Sequence, residues 1–154
     1  MHRVEVAFSN EGLDSIGYST KNSVSEDLGI EGLEKIRYSE AYYIYTSLEN
    51  GKLREIIEKV FVDPVLQSFS IDEDLIKDFD FKVEVKYHAD VTDNLAIVAK
   101  EAMEDYLGVK VEGNVKTARR YYITGQITIE QAKRIAKEML ANEIIETYSV
   151  EAKK

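Results

Sequence analysis

The chain has no cysteine, no tryptophan, a single proline and two histidines among its 154 residues. Without cysteine it has no disulfide framework and no thiolate metal site. His2 and His88 lie far apart with no carboxylate at ligand spacing, so no histidine metal centre is expected. There is no G-x-x-x-x-G-K-S/T loop, no G-x-G-x-x-G turn and no G-x-S-x-G elbow. No catalytic and no cofactor-binding residue is therefore expected in this chain. Apolar runs fall short of a membrane span, and Met1-His2-Arg3-Val4-Glu5 reads as the start of a strand. The expectation is a soluble cytoplasmic protein with no membrane partner.

Positive charge is also scarce. The net charge is -9, made of -7 over residues 1–73, -2 over residues 74–80 and zero over residues 81–154. A groove that tracks phosphates along a strand needs an excess of Lys and Arg, so a nucleic-acid partner is not expected.

What is present is a repeat. Tyr42-Tyr43-Ile44 returns as Tyr121-Tyr122-Ile123, 79 residues later. At that offset Val4-Glu5-Val6 falls on Val83-Glu84-Val85, Asp14 on Asp93, Lys21 on Lys100, Leu28-Gly29 on Leu107-Gly108, Ile56 on Ile135 and Ser70 on Ser149. Like replaces like at Phe8/Tyr87, Ile36/Val115, Phe61/Leu140 and Val65/Ile144. A fixed period of this kind decides the fold before any local detail. It gives a first unit over 1–73, a linker over 74–80 and a second unit over 81–154. Each unit is small for an independent core, so the two should bury surface against one another.

The elements follow from periodicity. Val4, Val6 and Phe8 alternate as a strand, and Phe81, Val83, Val85 and Tyr87 repeat it. Asp14 and Asp93 stand where N-caps belong, and Gly29 and Gly108 end the helices as C′ residues. The first of these helices is poor: Gly17 and several serines interrupt a spine of Ile16, Val24 and Leu28. The second is better, with Leu95, Val98, Ala99, Ala102, Met103, Tyr106 and Leu107 on one side. Tyrosine-rich strands come next, over 33–46 and 114–126. Amphipathic helices fill 52–61 and 129–141, the latter opened by a Thr128/Gln131 capping box. Pro64 stops the earlier one, and short strands close each unit.

The fold class is therefore α+β. Two β-α-β-α-β units form a two-layer arrangement related by a pseudo-two-fold axis, with helices on one face of an antiparallel-rich sheet. The nine residues from Asp72 to Asp80 span at most about 30 Å when extended, which leaves several poses open to the second unit.

Two clusters are candidates for contact with a partner. Lys116, Arg119 and Arg120 form a basic group, with Arg37 the matching base in the first unit. The tyrosine pairs place one ring toward the core and one outward, which selects Tyr43 and Tyr122 as interface residues. Packing between the two units is the favoured use of those rings. Charge reversal of Arg119 and Arg120 together is expected to leave folding intact and to weaken assembly.

The run Met139-Leu140-Ala141-Asn142-Glu143-Ile144-Ile145-Glu146-Thr147-Tyr148 resembles the closing segment of PurS, the small subunit of phosphoribosylformylglycinamidine synthase. Phe61-Val62-Asp63-Pro64-Val65-Leu66-Gln67 is similar to the same segment in the first unit. Lys82-Val83-Glu84-Val85 and Val115 through Tyr122 fit as well. The family strand often runs Val-Arg-Ile-Gly-Lys; here the glycine is missing in both units and a base stands at the lysine position only at Arg119. The resemblance implies a fused pair of PurS units acting as a non-catalytic structural subunit. It would bridge a large synthetase subunit and a glutaminase subunit in de novo purine biosynthesis, helping ammonia pass between them. ATP and Mg would be bound by the large subunit, and self-association into a homodimer is compatible with the family. The alternative is a regulatory α+β module that senses a small molecule at the interface of its two halves.

Overall fold

A computed structural model describes all 154 residues of the chain. The first unit runs β1 (His2–Phe8), α1 (Ser15–Asp27), β2 (Leu33–Ile44), α2 (Asn50–Ile56) and β3 (Gln67–Ile71). The second runs β4 (Phe81–Tyr87), α3 (Asn94–Leu107), β5 (Val115–Gly125), α4 (Ile129–Ile135) and β6 (Glu146–Ala152). Both α2 and α4 run on into a π-helical turn, Ile57–Phe61 and Ala136–Leu140.

One six-stranded sheet holds both units in the order β3-β1-β2-β5-β4-β6. Every neighbouring pair is antiparallel. The α+β class and the antiparallel sheet expected from the periodicity are both present.

Register makes the two units match residue by residue. Val4 pairs with Tyr42 and Ile71, and Val83 pairs with Tyr121 and Val150. Each partner in the second set lies 79 positions after its counterpart in the first. The tyrosine strands meet at the centre, with Tyr38 opposite Tyr121 and Glu40 opposite Arg119. Arg119 is itself the residue 79 positions after Glu40, so that pair maps onto itself. The pseudo-two-fold axis passes there.

All four helices lie on one face of the sheet, and each of the two cores mixes the units. Val4, Val6, Tyr42, Ile44, Leu53, Ile56 and Ile57 of the first unit pack with Ala99 and Met103 from α3. Val24 of α1 joins Val83, Val85, Tyr121, Ile123, Ala132 and Ile135 of the second. Completely buried side chains such as Leu53, Ile56 and Met103 each contribute about 1.5–3 kcal/mol relative to exposure. The two halves therefore share their apolar burial, as their small size demanded.

Two helices turn a different side to the sheet than the apolar spacing suggests. In α1, Ile16 is exposed and Gly17 is buried. A β-carbon on Gly17 would stand 2.2 Å from the carbonyl oxygen of Ile36. The glycine lets the helix lie directly on the strand, so what reads as a weakness is a close approach. In α3, Ala96 takes the matching place, with Ala99 and Met103 beneath it. Leu95, Val98 and Tyr106 face outward. Small residues set the helix depth, and depth fixes which side is buried.

The aspartates do more than cap. Asp14 accepts from the backbone N–H of Gly17 at 2.8 Å and of Tyr38 at 2.8 Å. Asp93 accepts from Ala96 at 3.0 Å and Thr117 at 2.7 Å. Each carboxylate thus ties a helix start to the tyrosine strand of its own unit.

The linker fixes a single pose. Asp72 adopts a left-handed backbone, φ 61°, which turns the chain off the edge strand. Its carboxylate accepts from the Arg3 N–H at 2.8 Å. From there residues 73–80 cross the face of the sheet opposite the helices. Leu75 N–H donates to Glu5 at 3.2 Å, and Phe79 packs on Tyr122 with ring centres 5.0 Å apart.

Candidate functional site

Residues pointing away from the helices carry charge, and beneath the linker that charge is buried. Glu5 is fully buried. One carboxylate oxygen accepts from Arg120 at 2.8 Å and from the Leu75 N–H. The other accepts from Ser39 Oγ at 2.6 Å and from the Tyr122 hydroxyl. Arg120, with 4% of its side chain exposed, also reaches Asp74 at 3.0 Å. Its Nε stands 2.9 Å from a Glu84 oxygen but off the hydrogen-bond direction, so that contact is ionic only. Lys82 donates to both Asp74 oxygens at 3.1 Å, and Tyr43 donates to Glu84 at 2.6 Å.

The pattern obeys the pseudo-symmetry. Glu5 of the first unit takes the Tyr122 hydroxyl of the second, while Glu84 of the second takes the Tyr43 hydroxyl of the first. Arg120 breaks it. Its counterpart 79 positions earlier is Ala41, so one guanidinium serves the carboxylates of both units. Two arginines so close to the axis would bring like charges together in a site with little water. A single chain escapes that constraint, because its two halves need not be identical.

Protonation follows from these contacts. Burial works against the Glu84 charge, but the Tyr43 hydroxyl, Arg120 and Lys86 outweigh it and hold the carboxyl below its ordinary range. Burial likewise opposes the Asp74 charge, and hydrogen bonds from Lys82 and Arg120 bring its pKa down. Burial, and next the Glu5 charge, push the Tyr122 hydroxyl up, so it stays a donor. Burial weakens the Arg120 charge less than Glu5 and its neighbours strengthen it, so the pKa is raised. The site is a locked set of charges held by mutual hydrogen bonds and ion pairs. No group of three or more His, Asp or Glu side chains is placed to hold a metal ion.

The six residues selected from sequence do not form one outward surface. Arg37 donates to Asp14 at 2.9 Å and to the Phe8 carbonyl at 2.6 Å, bracing the start of α1. Arg120 and Tyr122 are buried under the linker, and both reach Glu5 of the first unit, so they serve contact between the two units. Tyr43 is half-buried beneath Lys86, whose Nζ lies 4.7 Å from the ring centre. Lys116 is exposed and has no ion pair. Glu5, Ser39, Asp74 and Glu84 complete the site and were not selected. The identity of Glu5 and Glu84 at mid-strand was their one signal, and alternation alone reads it as solvated surface.

Residues 80–154 match the family model PurS, described as phosphoribosylformylglycinamidine (FGAM) synthase. Residues 80–154 therefore carry a PurS domain. No curated protein matches the chain. The match ties the chain, at the level of the family, to FGAM synthase and to purine biosynthesis.

Within the PurS half, Arg119 organises the junction from α4 to β6. It donates to Glu146 at 2.5 Å and to the Leu140 carbonyl at 3.2 Å, where a cation meets the end of a helix. Glu146 also accepts from the Asn142 N–H at 2.9 Å, and Asn142 from Ile144 at 3.2 Å. The turn so fixed holds Ile144 out at 86% exposure, and Val65 stands at 84% on the matching turn of the first unit. No helix is long and apolar enough to cross a membrane.

Proposed function

We propose that the chain is the accessory subunit of FGAM synthase, with its two units standing in for a pair of PurS subunits. The observation that carries this is the PurS match over residues 80–154, joined to a first unit of the same order and register. On this reading units 1–73 and 81–154 arose by tandem duplication, and residues 74–80 join them. The subunit bridges a large synthetase subunit, which binds ATP and Mg, and a glutaminase subunit that releases ammonia. It works in the cytoplasm as a member of a glutamine-dependent ligase complex and supplies no catalytic residue.

The locked charge network suits that role. A bridge must hold its shape while its partners turn over, and buried ion pairs with every oxygen engaged leave few alternative arrangements. Aliphatic tips at Val65 and Ile144, on turns braced by hydrogen bonds to Asp63 and Asn142, suit docking into a partner's apolar socket.

Reconstitution tests the proposal. The chain is mixed with the large synthetase and glutaminase subunits, and co-elution and glutamine-dependent FGAM formation are followed. A ternary complex, with activity that requires this chain, is expected. If the other two subunits assemble and turn over glutamine equally well without it, the proposal fails.

A further inference from the structure

A cavity lies outside the charge network. It lies where β4 ends, α3 begins and β5 starts, and its volume is about 680 Å³. Lys86, Lys100 and Lys116 reach it, and Tyr43, Tyr45 and Tyr87 form aromatic wall. The first unit has a crevice in the matching place, of about 330 Å³, lined by Asp14, Lys21 and Arg37. Those residues correspond to Asp93, Lys100 and Lys116 at the same offset of 79.

The two differ in how their cations are used. In the first unit Arg37 is paired with Asp14 at 2.9 Å and Lys35 with Glu11 at 3.2 Å, which leaves Lys21 alone. In the second, Lys86 is paired with Glu84 at 3.2 Å, but Lys100 and Lys116 have no ion pair. The one carboxylate in the wall, Asp93, is engaged by Ala96, the Thr117 N–H and the Thr117 hydroxyl. A chain of net charge -9 thus keeps two unpaired ammonium groups and a third beside them around a cavity twice the size of its counterpart.

We infer that this cavity binds a phosphorylated small molecule with a planar ring, of the nucleoside monophosphate class. Lysines hold a phosphate as point charges, and the exposed Tyr45 and Tyr87 offer a face for the ring. The site is separate from the bridging role and stands without it.

Calorimetric titration of the full chain with AMP, adenosine and inorganic phosphate tests the inference. AMP should saturate a site on the chain, with adenosine and phosphate each weaker by about ten-fold or more. Replacing both lysines, Lys100→Ala with Lys116→Ala, should weaken AMP by about ten-fold at low ionic strength and leave the far-ultraviolet circular dichroism unchanged. Lys21→Ala should not change AMP binding. The inference is overturned if wild-type chain shows no saturable AMP binding, if adenosine binds as tightly as AMP, or if Lys21→Ala weakens AMP as much as the double variant.

Discussion

Glu5 and Tyr122 are separated by 117 positions in the chain and meet in a buried hydrogen bond. The bond crosses from the first unit to the second, and Tyr43 to Glu84 returns it in the opposite sense. Arg120 sits between the two carboxylates and contacts both.

Removing the guanidinium should be costly. Arg120→Met leaves Glu5 buried beside Glu84 and Asp74 without its main counter-charge. Breaking a buried pair from one side costs about 3–5 kcal/mol. Urea denaturation should show a drop of that order, and adding Glu5→Gln should recover part of it. A loss below about 1 kcal/mol, the level of an exposed ion pair, would mean that water reaches the network.

Charge reversal separates the two adjacent arginines. Sequence alone predicts that Arg119→Glu with Arg120→Glu spares folding, and the burial of Arg120 reverses that expectation. The double variant should fail to give soluble folded chain. Lys116→Glu, on an exposed side chain, should fold as wild type. Circular dichroism and gel filtration distinguish the outcomes.

Acid should weaken the fold through Glu84 and Asp74. Both have native pKa values depressed below their ordinary 4.5 and 3.8. A depressed carboxylate contributes stability that is complete above its unfolded pKa and is lost as pH falls through its native one. Stability should therefore be flat in these groups above about pH 5 and decline below pH 4. Glu84→Gln should flatten part of that decline in a series of denaturant melts. An unchanged slope would remove Glu84 from the account.

Close packing gives a contrast between units. Gly17→Ala pushes a β-carbon to 2.2 Å from a backbone oxygen. It should destabilise by about 1–3 kcal/mol, as overpacking does, despite the better helix propensity of alanine. Thermal melts of Gly17→Ala will show a lower midpoint; a higher one would mean that α1 can shift outward at little cost.

The core should respond in the ordinary way. Leu140 is buried where the π-turn of α4 meets β6. Leu140→Ala should cost about 2–5 kcal/mol, read as a fall in the urea midpoint with an unchanged slope.

Sequence by itself determined the architecture. Alternation at Val4-Glu5-Val6, a cap at Asp14, a C′ glycine at Gly108 and a repeat of 79 are local or periodic features. The backbone answers to them wherever they occur, so strands, helices and the pairing of two like units were legible. The use of the polar face was not. Glu5 looks the same in a list of residues whether water or Arg120 faces it. Only the path of the linker, laid across the sheet by Asp72 and Leu75, excludes the water and turns a solvated charge into a buried one. The depth of α1 over Gly17 and the two unpaired lysines lining the second unit's cavity are of the same kind. They depend on distances between segments far apart in the chain, and those distances exist only once the sheet has closed.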